Sequence, residues 1–386
     1  TEICPFISME EDLEGTLDFF LIGLHMDIPI SPSSITTDWL TEVLGQSKPF
    51  EGAIVTNIEV TDIGEGTGIF GEIALLSLTF AENTSAPTSI VVKMPCIEPE
   101  NLMVAQALGI YEREVNFFES IAPSTNLRIP DCYFSHMEED GRFIILMENL
   151  SEEFSVGDQV IGASNTQVES AITTLAEFHI EWWENPTLLT LDWLPKQNDP
   201  AYLAAVPGIF RAGLPILIND WADRIPAESI EIAKKLDPRF EELMDVFAAG
   251  PYTFAHSDTR LDNWFFPKNE SGNVALIDFQ LCSKARGVND IAYLIGTSVP
   301  RGLAAENWER YLRLWWDSIN EQNISYSWDD AVRHYQLASL YYTVGGMSLI
   351  GSFDTGNERG AAMAEAYVTR TFSHIVDIDA ASAFNL

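Results

Sequence analysis

The segment FAHSDTRLDNWFF, residues 254–266, contains the pattern His-x-Asp-x-x-x-x-Asn at His256, Asp258 and Asn263. Fifteen residues after Asn263, the apolar run ALIDFQ carries Asp278. Phosphoryl transfer needs a carboxylate that accepts the proton of the attacking hydroxyl, and it needs an amide and a second carboxylate that hold Mg²⁺ against the phosphates. The two segments therefore predict a phosphoryl-transfer site, with Asp258 as base and with Asn263 and Asp278 as metal ligands.

Two further residues of the segment have predicted roles. We expect His256 to hydrogen-bond the loop and hold its shape, whereas Arg260 is placed to contact the transferred phosphoryl group. The alternative is a hairpin loop that is rich in Asp and Asn for turn formation alone. Other parts of the chain decide between these two interpretations.

A glycine-rich turn lies upstream. Gly66, Gly68 and Gly71 form the pattern G-x-G-x-x-G between two strand-like runs. The dinucleotide-binding fold needs a helix after this pattern. A glycine-rich β-turn instead allows backbone amides to approach phosphates closely. Taken alone, the pattern is equally typical of an ordinary glycine hairpin.

A lysine and a glutamate complete the predicted nucleotide site. Lys93, one of seven lysines, ends the apolar run SIVVK. Glu112 and Glu114 on the next predicted helix are candidate partners, and Glu114 is favoured because it neighbours the inward-facing Tyr111 and Val115. The alternative for both glutamates is a solvated helix flank.

Periodicity predicts an antiparallel sheet with one helix in the first part of the chain and helices after residue 150. The predicted first-part elements are, in order, a helix at 36–44, strands at 53–63, 69–80 and 89–94, a helix at 100–120, and strands at 131–136 and 142–147. In the second part, Thr166 and Glu169 predict a capping box. A β-pair of residues 252–256 with 274–279 is expected next, followed by helices from Asp290 to the end.

The order of these parts resembles the protein-kinase-like superfamily, in its small-molecule branch of aminoglycoside phosphotransferases, choline kinases and ecdysteroid kinase-like proteins. HSDTRLDNWFF, ALIDFQ and GVNDIAYLI carry the resemblance, which covers roughly residues 36–293. It implies a bilobal α+β fold, with an antiparallel β N-lobe at 1–148 and a mainly helical C-lobe at 149–386. It also implies ATP and Mg²⁺ as cofactors and the hydroxyl of a small molecule as acceptor.

The resemblance also implies roles for single residues. Lys93 would hold the α- and β-phosphates, the backbone at Glu148 and Leu150 would bind adenine, and Asp290 would support the catalytic loop. The sequence departs from the family pattern in two places. Ser257 replaces a glycine, and Gln280 replaces the glycine of the protein-kinase Asp-Phe-Gly.

Two rival functions stay open at this point. Only 11 residues separate Asp278 from Asp290. A protein kinase needs a longer activation segment there, so this spacing disfavours peptide substrates. The other rival is a non-catalytic nucleotide- or metabolite-binding protein with a decayed site, although every expected catalytic residue is present.

The net charge of the chain indicates which classes of binding partner to expect. The chain has 58 acidic and 21 basic residues, a formal net charge of −37, which disfavours nucleic acids and anionic membranes. A solvated acidic surface explains the charge, and a cationic acceptor is the alternative. Four cysteines without a CxxC pair and an acidic N-terminus predict reduced thiols and a cytoplasmic protein. We expect a monomer or a homodimer. The uncharged residues 335–353 predict a buried helix.

The sequence leaves the identity of the acceptor open, and aminoglycoside-like, choline-like and steroid-alcohol-like molecules are the candidates. Aromatic faces bind quaternary ammonium groups or apolar alcohols. Helix packing explains the same residues, and a solvated loop explains the acids Glu152, Glu153 and Asp158. The candidate aromatic residues are Trp193, Tyr202, Trp221, Trp308, Trp315, Trp316, Tyr341 and Tyr342.

Overall fold

The structure is a computed structural model that describes residues 27–63, 70–269, 272–351 and 358–386. The strands are β1 Val55–Asp62, β2 Gly71–Phe80, β3 Ser89–Pro95, β4 Cys132–Met137, β5 Phe143–Glu148, β6 Phe154–Val156, β7 Thr253–Ala255, β8 Trp264–Pro267, β9 Ala275–Leu276 and β10 Ser283–Ala285. The helices are α1 Thr37–Leu44, α2 Pro99–Ala107, α3 Ile110–Asn116, α4 Asn165–Trp182, α5 Pro200–Asp220, α6 Ala227–Leu236, α7 Phe240–Phe247, α8 Gly287–Ser298, α9 Arg301–Glu321, α10 Trp328–Gly351, α11 Glu358–Asp377 and α12 Ala380–Ala383.

The first part of the chain forms an antiparallel sheet with the order β1-β2-β3-β5-β4. Strand β3 lies in the middle, where Lys93 stands opposite Ile73 on β2 and Ile145 on β5. Helix α1 begins at Thr37, one residue after the predicted start, because Thr36 is its N-cap and the Thr36 side chain accepts the amide hydrogen of Trp39 at 3.2 Å. Its buried residues pack with one face of the sheet in a common apolar cluster. The α+β fold class is confirmed.

The predicted single helix at 100–120 is wrong. The structure has two helices, α2 and α3, separated at Gly109, whose φ of +63° lies in the left-handed region. Glycine enters that region without steric cost, so it ends the first helix and begins the second. A π-helical turn, Phe117–Ile121, follows α3. The break turns α3 so that Tyr111, Glu114 and Val115 are buried.

The start of α4 also differs from the prediction. The capping box is formed by Ser164 and Gln167, not by Thr166 and Glu169. The amide of Ser164 donates to the Gln167 side chain at 3.0 Å, and the amide of Gln167 donates to the Ser164 hydroxyl at 3.4 Å. The helix therefore begins two residues earlier. Its inward face from Val168 to His179 is buried as expected.

The predicted pairing of residues 252–256 with 274–279 is wrong. Strand β7 pairs with β10, and β9 pairs with β8 in a different sheet. In this arrangement β8 and β9 form a hairpin that joins the end of the His-x-Asp-x-x-x-x-Asn segment to Asp278. The amide of Ile277 donates to the carbonyl of Asn263 at 3.0 Å.

The uncharged residues 335–351 lie in the buried helix α10, as predicted; residues 352 and 353 lie outside the described part. By length and composition, α5 is the one helix among the described residues that is apolar enough to cross a membrane. Core helices of globular proteins pass the same test. Here α5 buries Phe210 and Leu217 and packs along α10.

Three of the four cysteines fall in the described residues. Cys96, Cys132 and Cys282 are free thiols, in agreement with the prediction for these three. Cys4 lies outside the described residues.

Candidate active site

The loop that carries Asp258 is held by the carboxylate of Asp290 on α8. Asp290 accepts the backbone amides of His256 at 2.7 Å and Ser257 at 2.8 Å, and it contacts His179 Nε2 at 3.1 Å. Nδ1 of His179 accepts the indole hydrogen of Trp315 at 3.0 Å, so Nε2 carries the proton that Asp290 accepts. The structure thus places Asp290 where it supports the loop, as the resemblance implied.

His256 is enclosed in the same loop. Its Nδ1 accepts the amide hydrogen of Asp258 at 3.2 Å, and its Nε2 donates to the carbonyl of Ile277 at 2.9 Å. One neutral tautomer satisfies both contacts. The imidazole therefore ties the Asp258 loop to the strand before Asp278.

Ser257 has a left-handed backbone, with φ of +64°. That conformation favours glycine, which accounts for the glycine usual at this place in the family. Here the Ser257 amide is bound by Asp290, and its hydroxyl lies 2.8 Å from the hydroxyl of Ser283 on β10. These hydrogen bonds offset the backbone strain.

Asp258 lies beside the predicted ligand and the predicted cation. Nδ2 of Asn263 donates to the carbonyl of Asp258 at 2.8 Å and to its Oδ2 at 3.2 Å. Nε of Arg260 lies 3.6 Å from the same Oδ2, and Nη2 of Arg260 lies 4.0 Å from Oδ2 of Asp278. Both charged carboxylates raise the pKa of Arg260 although burial opposes them.

Lys93 lies between two carboxylates. Its Nζ is 2.6 Å from Oε2 of Glu114 and 2.8 Å from Oδ1 of Asp278. Burial alone would lower the pKa of Lys93, but the two carboxylates outweigh it and raise that pKa. Burial raises the pKa of Glu114 to about 7, against the opposing charge of Lys93. The choice of Glu114 over Glu112, which is exposed, is confirmed as a contact.

Asp278 follows β9 in a left-handed conformation, with φ of +72°. Strained backbone of this kind persists where its surroundings hold it, and it concentrates at functional sites. Burial alone would raise the pKa of Asp278, but the charges of Lys93 and Arg260 outweigh it and lower that pKa. Nε2 of Gln280, the replacement for glycine, donates to Oδ2 of Asp278 at 3.2 Å. Phe279, which directly follows Asp278, stacks on Phe117 with ring centres 3.5 Å apart.

Part of this group lines one cavity of about 340 Å³, within the usual range for small-molecule sites, whereas the predicted site residue His256 does not line it. Glu148 and Leu150 do not line it, although Met147 before them does. Gly66 and Gly68 lie outside the described residues. The predicted site residues that line the cavity are Gly71, Lys93, Glu114, Asp258, Arg260, Asn263 and Asp278.

The wall beyond Asp258 is mainly apolar and comes from the C-terminal helices. None of the eight aromatic residues proposed from the sequence lines it; they pack among the helices instead. Glu152, Glu153 and Asp158 are also absent from the lining. Sequence reasoning missed the residues that do form this wall. They are Ile209, Tyr293, Ser348, Leu349, Met363 and Tyr367.

Among the missed residues, Tyr293 had a signal in the sequence. It lies three residues after Asp290 in the GVNDIAYLI motif, so both side chains project from the same side of α8. The residues from α10 and α11 had no such signal in the sequence, because nothing in their local pattern distinguishes a cavity wall from a helix core.

Asn263 and Asp278 fit Mg²⁺ as oxygen donors. Mg²⁺ is bound through one or two carboxylates and keeps its other positions for water and phosphate oxygens. Within the described part of the chain there is no cluster of three or more His, Cys, Asp or Glu suited to a metal ion. Because Asn263 turns its amide nitrogen to Asp258, its oxygen is the atom left for a cation.

A model of the ecdysteroid kinase-like family matches residues 70–180 and 213–325, more than half of the chain. The chain belongs to the ecdysteroid kinase-like family. The matched ranges include Lys93, Glu114 and the whole stretch from Asp258 to Asp278. No curated protein matches the chain.

Solved structures share the fold at low identity. The F108L mutant of aminoglycoside 2'-phosphotransferase IIIa in complex with GDP is 15% identical with a TM-score of 0.51, over 90% of this chain and 99% of its own. Choline kinase from Cryptosporidium parvum is 12% identical with a TM-score of 0.51, over 91% and 96%. Ethanolamine kinase from Plasmodium vivax is 12% identical with a TM-score of 0.50, over 95% and 98%. The bilobal kinase-like fold and the resemblance to small-molecule kinases are confirmed.

Proposed function

We propose that this ecdysteroid kinase-like protein transfers a phosphoryl group from ATP, with Mg²⁺, to a hydroxyl group of a small molecule. The observation that carries the proposal is that Lys93, Asp258, Asn263 and Asp278 all line one cavity. The candidates for the base, the cation and the metal ligands of phosphoryl transfer thus come from segments that lie far apart in the sequence, which supports the proposal.

Each residue has a role in the proposed reaction. Asp258 accepts the proton of the attacking hydroxyl, and Arg260 contacts the transferred group. Lys93, oriented by Glu114, binds the α- and β-phosphates. Mg²⁺, held by Asn263 and Asp278, neutralises phosphate charge when bound. His256 keeps the loop in place through Asp258 and Ile277.

The remaining contacts concern the nucleotide. We propose that Gly71, together with Gly66 and Gly68, lets the backbone approach the phosphates. A Cβ on Gly71 would lie 3.3 Å from the carbonyl of Met94, a close approach that supports a need for glycine. The backbone of Glu148 and Leu150 binds adenine in this proposal, next to Met147 in the cavity wall.

The apolar wall favours an uncharged, steroid-alcohol-like acceptor over a polyamine such as an aminoglycoside. Each acid at the cavity already has a basic or amide partner on at least one of its oxygens. Asp262 accepts the amide of Gln159 at 2.8 Å and pairs with Arg359 at 3.2 Å, while Asp258 and Asp278 contact Arg260. The aromatic rings of Tyr293 and Tyr367 keep a choline-like acceptor as the second candidate.

The test is ADP release from ATP and Mg²⁺ with a panel of steroid alcohols, choline-like compounds and aminoglycosides. We expect turnover with an apolar alcohol and a loss of at least about 100-fold in Asp258→Asn, in line with the usual contribution of a general base. Asp223→Asn, at an exposed position, is the control and should keep full activity. Turnover in Asp258→Asn equal to the wild type would contradict the proposal.

The same assay decides between this function and its rivals. Nucleotide binding without ADP release for any acceptor would favour the non-catalytic binding protein. Phosphate transfer to casein would favour a protein kinase. Against the latter, the segment after Asp278 is occupied by β10, which pairs with β7 and leads directly into α8.

We further propose that the protein acts in the cytoplasm as a monomer or homodimer, with a small molecule as its partner rather than nucleic acid or membrane. The net charge of −37 supports the part that concerns nucleic acid and anionic membranes, because both carry the same sign of charge. Sedimentation of the purified protein, alone and with DNA or anionic vesicles, measures the oligomeric state and the binding of these two partners.

A further inference from the structure

Arg113 is a buried arginine of α3 whose guanidinium donates to three carbonyl groups. Its Nε donates to the carbonyl of Gly109 at 3.3 Å and its Nη2 to that of Leu108 at 3.1 Å, both at the break between α2 and α3. Its Nη1 donates to the carbonyl of Cys282 at 3.2 Å. One side chain therefore joins the helix break to the segment that follows Asp278.

The carbonyl of Cys282 belongs to a part of the C-lobe that is itself held in place. Strand β10 begins at the next residue, Ser283, and pairs with β7. The hydroxyl of Ser283 lies 2.8 Å from that of Ser257. Strand β7 and Ser257 lead along the chain to Asp258, so Arg113 binds a segment that is hydrogen-bonded to the loop of the proposed base.

Two further contacts hold α3 and the turn after it on either side of Glu114. The amide of Cys96, which directly follows β3, donates to the hydroxyl of Tyr111 at 3.2 Å. On the other side, the ring of Phe117 stacks on that of Phe279 with centres 3.5 Å apart. Glu114 therefore lies on a helix that is joined to the sheet at one point and to the C-lobe at another.

We propose that Arg113 is a positioning residue: it anchors α3 to the carbonyl of Cys282 and thereby holds Glu114 in place. Glu114 in turn keeps Lys93 where it binds the phosphates, so the proposal rests on the proposed function. In protein kinases, phosphorylation of the activation segment and movement of the helix control the corresponding lysine–glutamate pair. Here the short segment after Asp278 instead serves as the fixed anchor of the helix.

The arrangement of the three acceptors favours arginine over lysine. A guanidinium presents five donors in a planar fork, so it binds carbonyl groups of two separate segments at once. An ammonium is a compact charge at the end of a flexible chain. The guanidinium of Arg113 also lies 5.8 Å from the ring centre of Tyr202 on α5, within the range of a cation–π contact. This contact adds a second link from α3 to the C-lobe.

A purely structural role is the alternative, and Arg286 offers a matched control for it. Like Arg113, it is buried and donates to three carbonyl groups, at 3.0, 2.8 and 3.2 Å. These carbonyls belong to Gly250, Val246 and Phe247, which do not line the cavity. Arg286→Met should therefore destabilise the protein as Arg113→Met does, but it should leave the nucleotide site in place.

The first experiment measures the anchor without any ligand. Hydrogen–deuterium exchange is followed by mass spectrometry in the wild type, Arg113→Met and Arg286→Met. We expect exchange in residues 110–121 to become at least about tenfold faster in Arg113→Met, because the helix loses hydrogen bonds to a charged group. In Arg286→Met these residues should exchange as in the wild type. Unchanged exchange of residues 110–121 in folded Arg113→Met would overturn the proposal.

The second experiment measures the effect on the nucleotide site. The affinity for a fluorescent ADP analogue with Mg²⁺ is measured for each variant, alone and combined with Glu114→Gln. We expect Arg113→Met to weaken binding about tenfold and Arg286→Met to stay within about twofold of the wild type. Arg113→Lys, which keeps the charge, should recover part of the loss. In the Glu114→Gln background, Arg113→Met should weaken binding less than about twofold, because Arg113 acts through Glu114.

Three outcomes contradict the positioning role. Unchanged ADP affinity in Arg113→Met would leave only a structural role, and equal losses in Arg113→Met and Arg286→Met would indicate a general structural defect. A full loss in the Glu114→Gln background would show that Arg113 does not act through Glu114. A wild type that does not bind the ADP analogue would instead overturn the proposed function. The exchange experiment would then still decide whether Arg113 anchors α3.

Discussion

Lys93 and Asp278 form an ion pair of 2.8 Å although 185 positions separate them in the chain. The pair joins the central strand of the β-sheet to the residue after β9, and Glu114 binds the same ammonium group from α3. One cation is therefore shared by two carboxylates, and the balance of these three charges leads to the first two predictions.

Lys93→Met should lower the free energy of unfolding by about 3 kcal/mol, because it leaves two carboxylates in the interior without their cation. Urea unfolding measures the change. The double variant Lys93→Met/Glu114→Gln should recover part of the loss, since one of the two charges is removed. Lys234→Met, which breaks an exposed pair with Glu231, should cost no more than about 0.5 kcal/mol. A Lys93→Met protein as stable as this control would contradict the prediction.

Glu114 should make stability depend on pH. Its pKa is raised from 4.5 to about 7, so between these values the folded protein binds more protons than the unfolded chain. The free energy of unfolding should therefore fall as pH rises through this window, by on the order of 2 kcal/mol. Glu114→Gln should flatten that slope, whereas Glu112→Gln, at an exposed position of the same helix, should not. Denaturation series between pH 4.5 and 7.5 compare the slopes.

Asp290→Asn should destabilise the protein by about 2 to 4 kcal/mol. An amide nitrogen would replace one of the two oxygens that accept the backbone hydrogens of His256 and Ser257, and it would leave a buried donor unsatisfied. We also expect loss of ADP release, since the loop would lose its support. Asp377→Asn at the half-exposed pair with Arg301 is the matched control. Equal unfolding midpoints for the two variants would contradict the role of Asp290 as the support of the Asp258 loop.

Gly345→Ala should change the acceptor site selectively. The added methyl group overlaps the Tyr367 hydroxyl, so Tyr367 must move within the cavity wall. We expect the KM for the acceptor to rise at least about fivefold, with a loss of stability of about 1 to 3 kcal/mol from overpacking. The affinity of the variant for the nucleotide should equal that of the wild type.

Two other glycines provide controls for that substitution. Gly208 on α5 and Gly302 on α9 have nothing within 4 Å of an added Cβ. Alanine there should leave acceptor KM unchanged and should stabilise the protein by up to about 1 kcal/mol, because alanine is the better helix former. If the KM for the acceptor rose equally in all three variants, the effect of Gly345→Ala would not depend on its contact with Tyr367, and the prediction would be wrong.

Sequence patterns were sufficient for the parts of the site that lie close together in the chain. Asp258 and Asn263 belong to one short loop, and the strand before Asp278 follows within one hairpin. The spacing alone therefore brought their side chains to one place. The preference for Glu114 over Glu112 followed from the apolar stripe of its helix, because side chains that flank buried residues on a helix face inward.

The errors have a common cause. The helix break at Gly109 and the capping box at Ser164 depend on local backbone choices that a periodic apolar pattern does not distinguish. The pairing of β7 with β10, instead of with the strand before Asp278, depends on which hydrogen-bonding edges meet in space. Short apolar strands carry little information about their partner.

By itself the sequence determined the family, the fold class and the candidate site residues, since these lie in short motifs whose spacing is fixed by loops and single elements. Only the tertiary structure decided which side chains of the C-terminal helices line the cavity beside Asp258. Tyr293, Leu349, Met363 and Tyr367 come together from three helices that are remote in sequence. An apolar residue in a helix core and an apolar residue in a cavity wall satisfy the same local pattern. They differ only in whether a neighbouring element fills the space beside them.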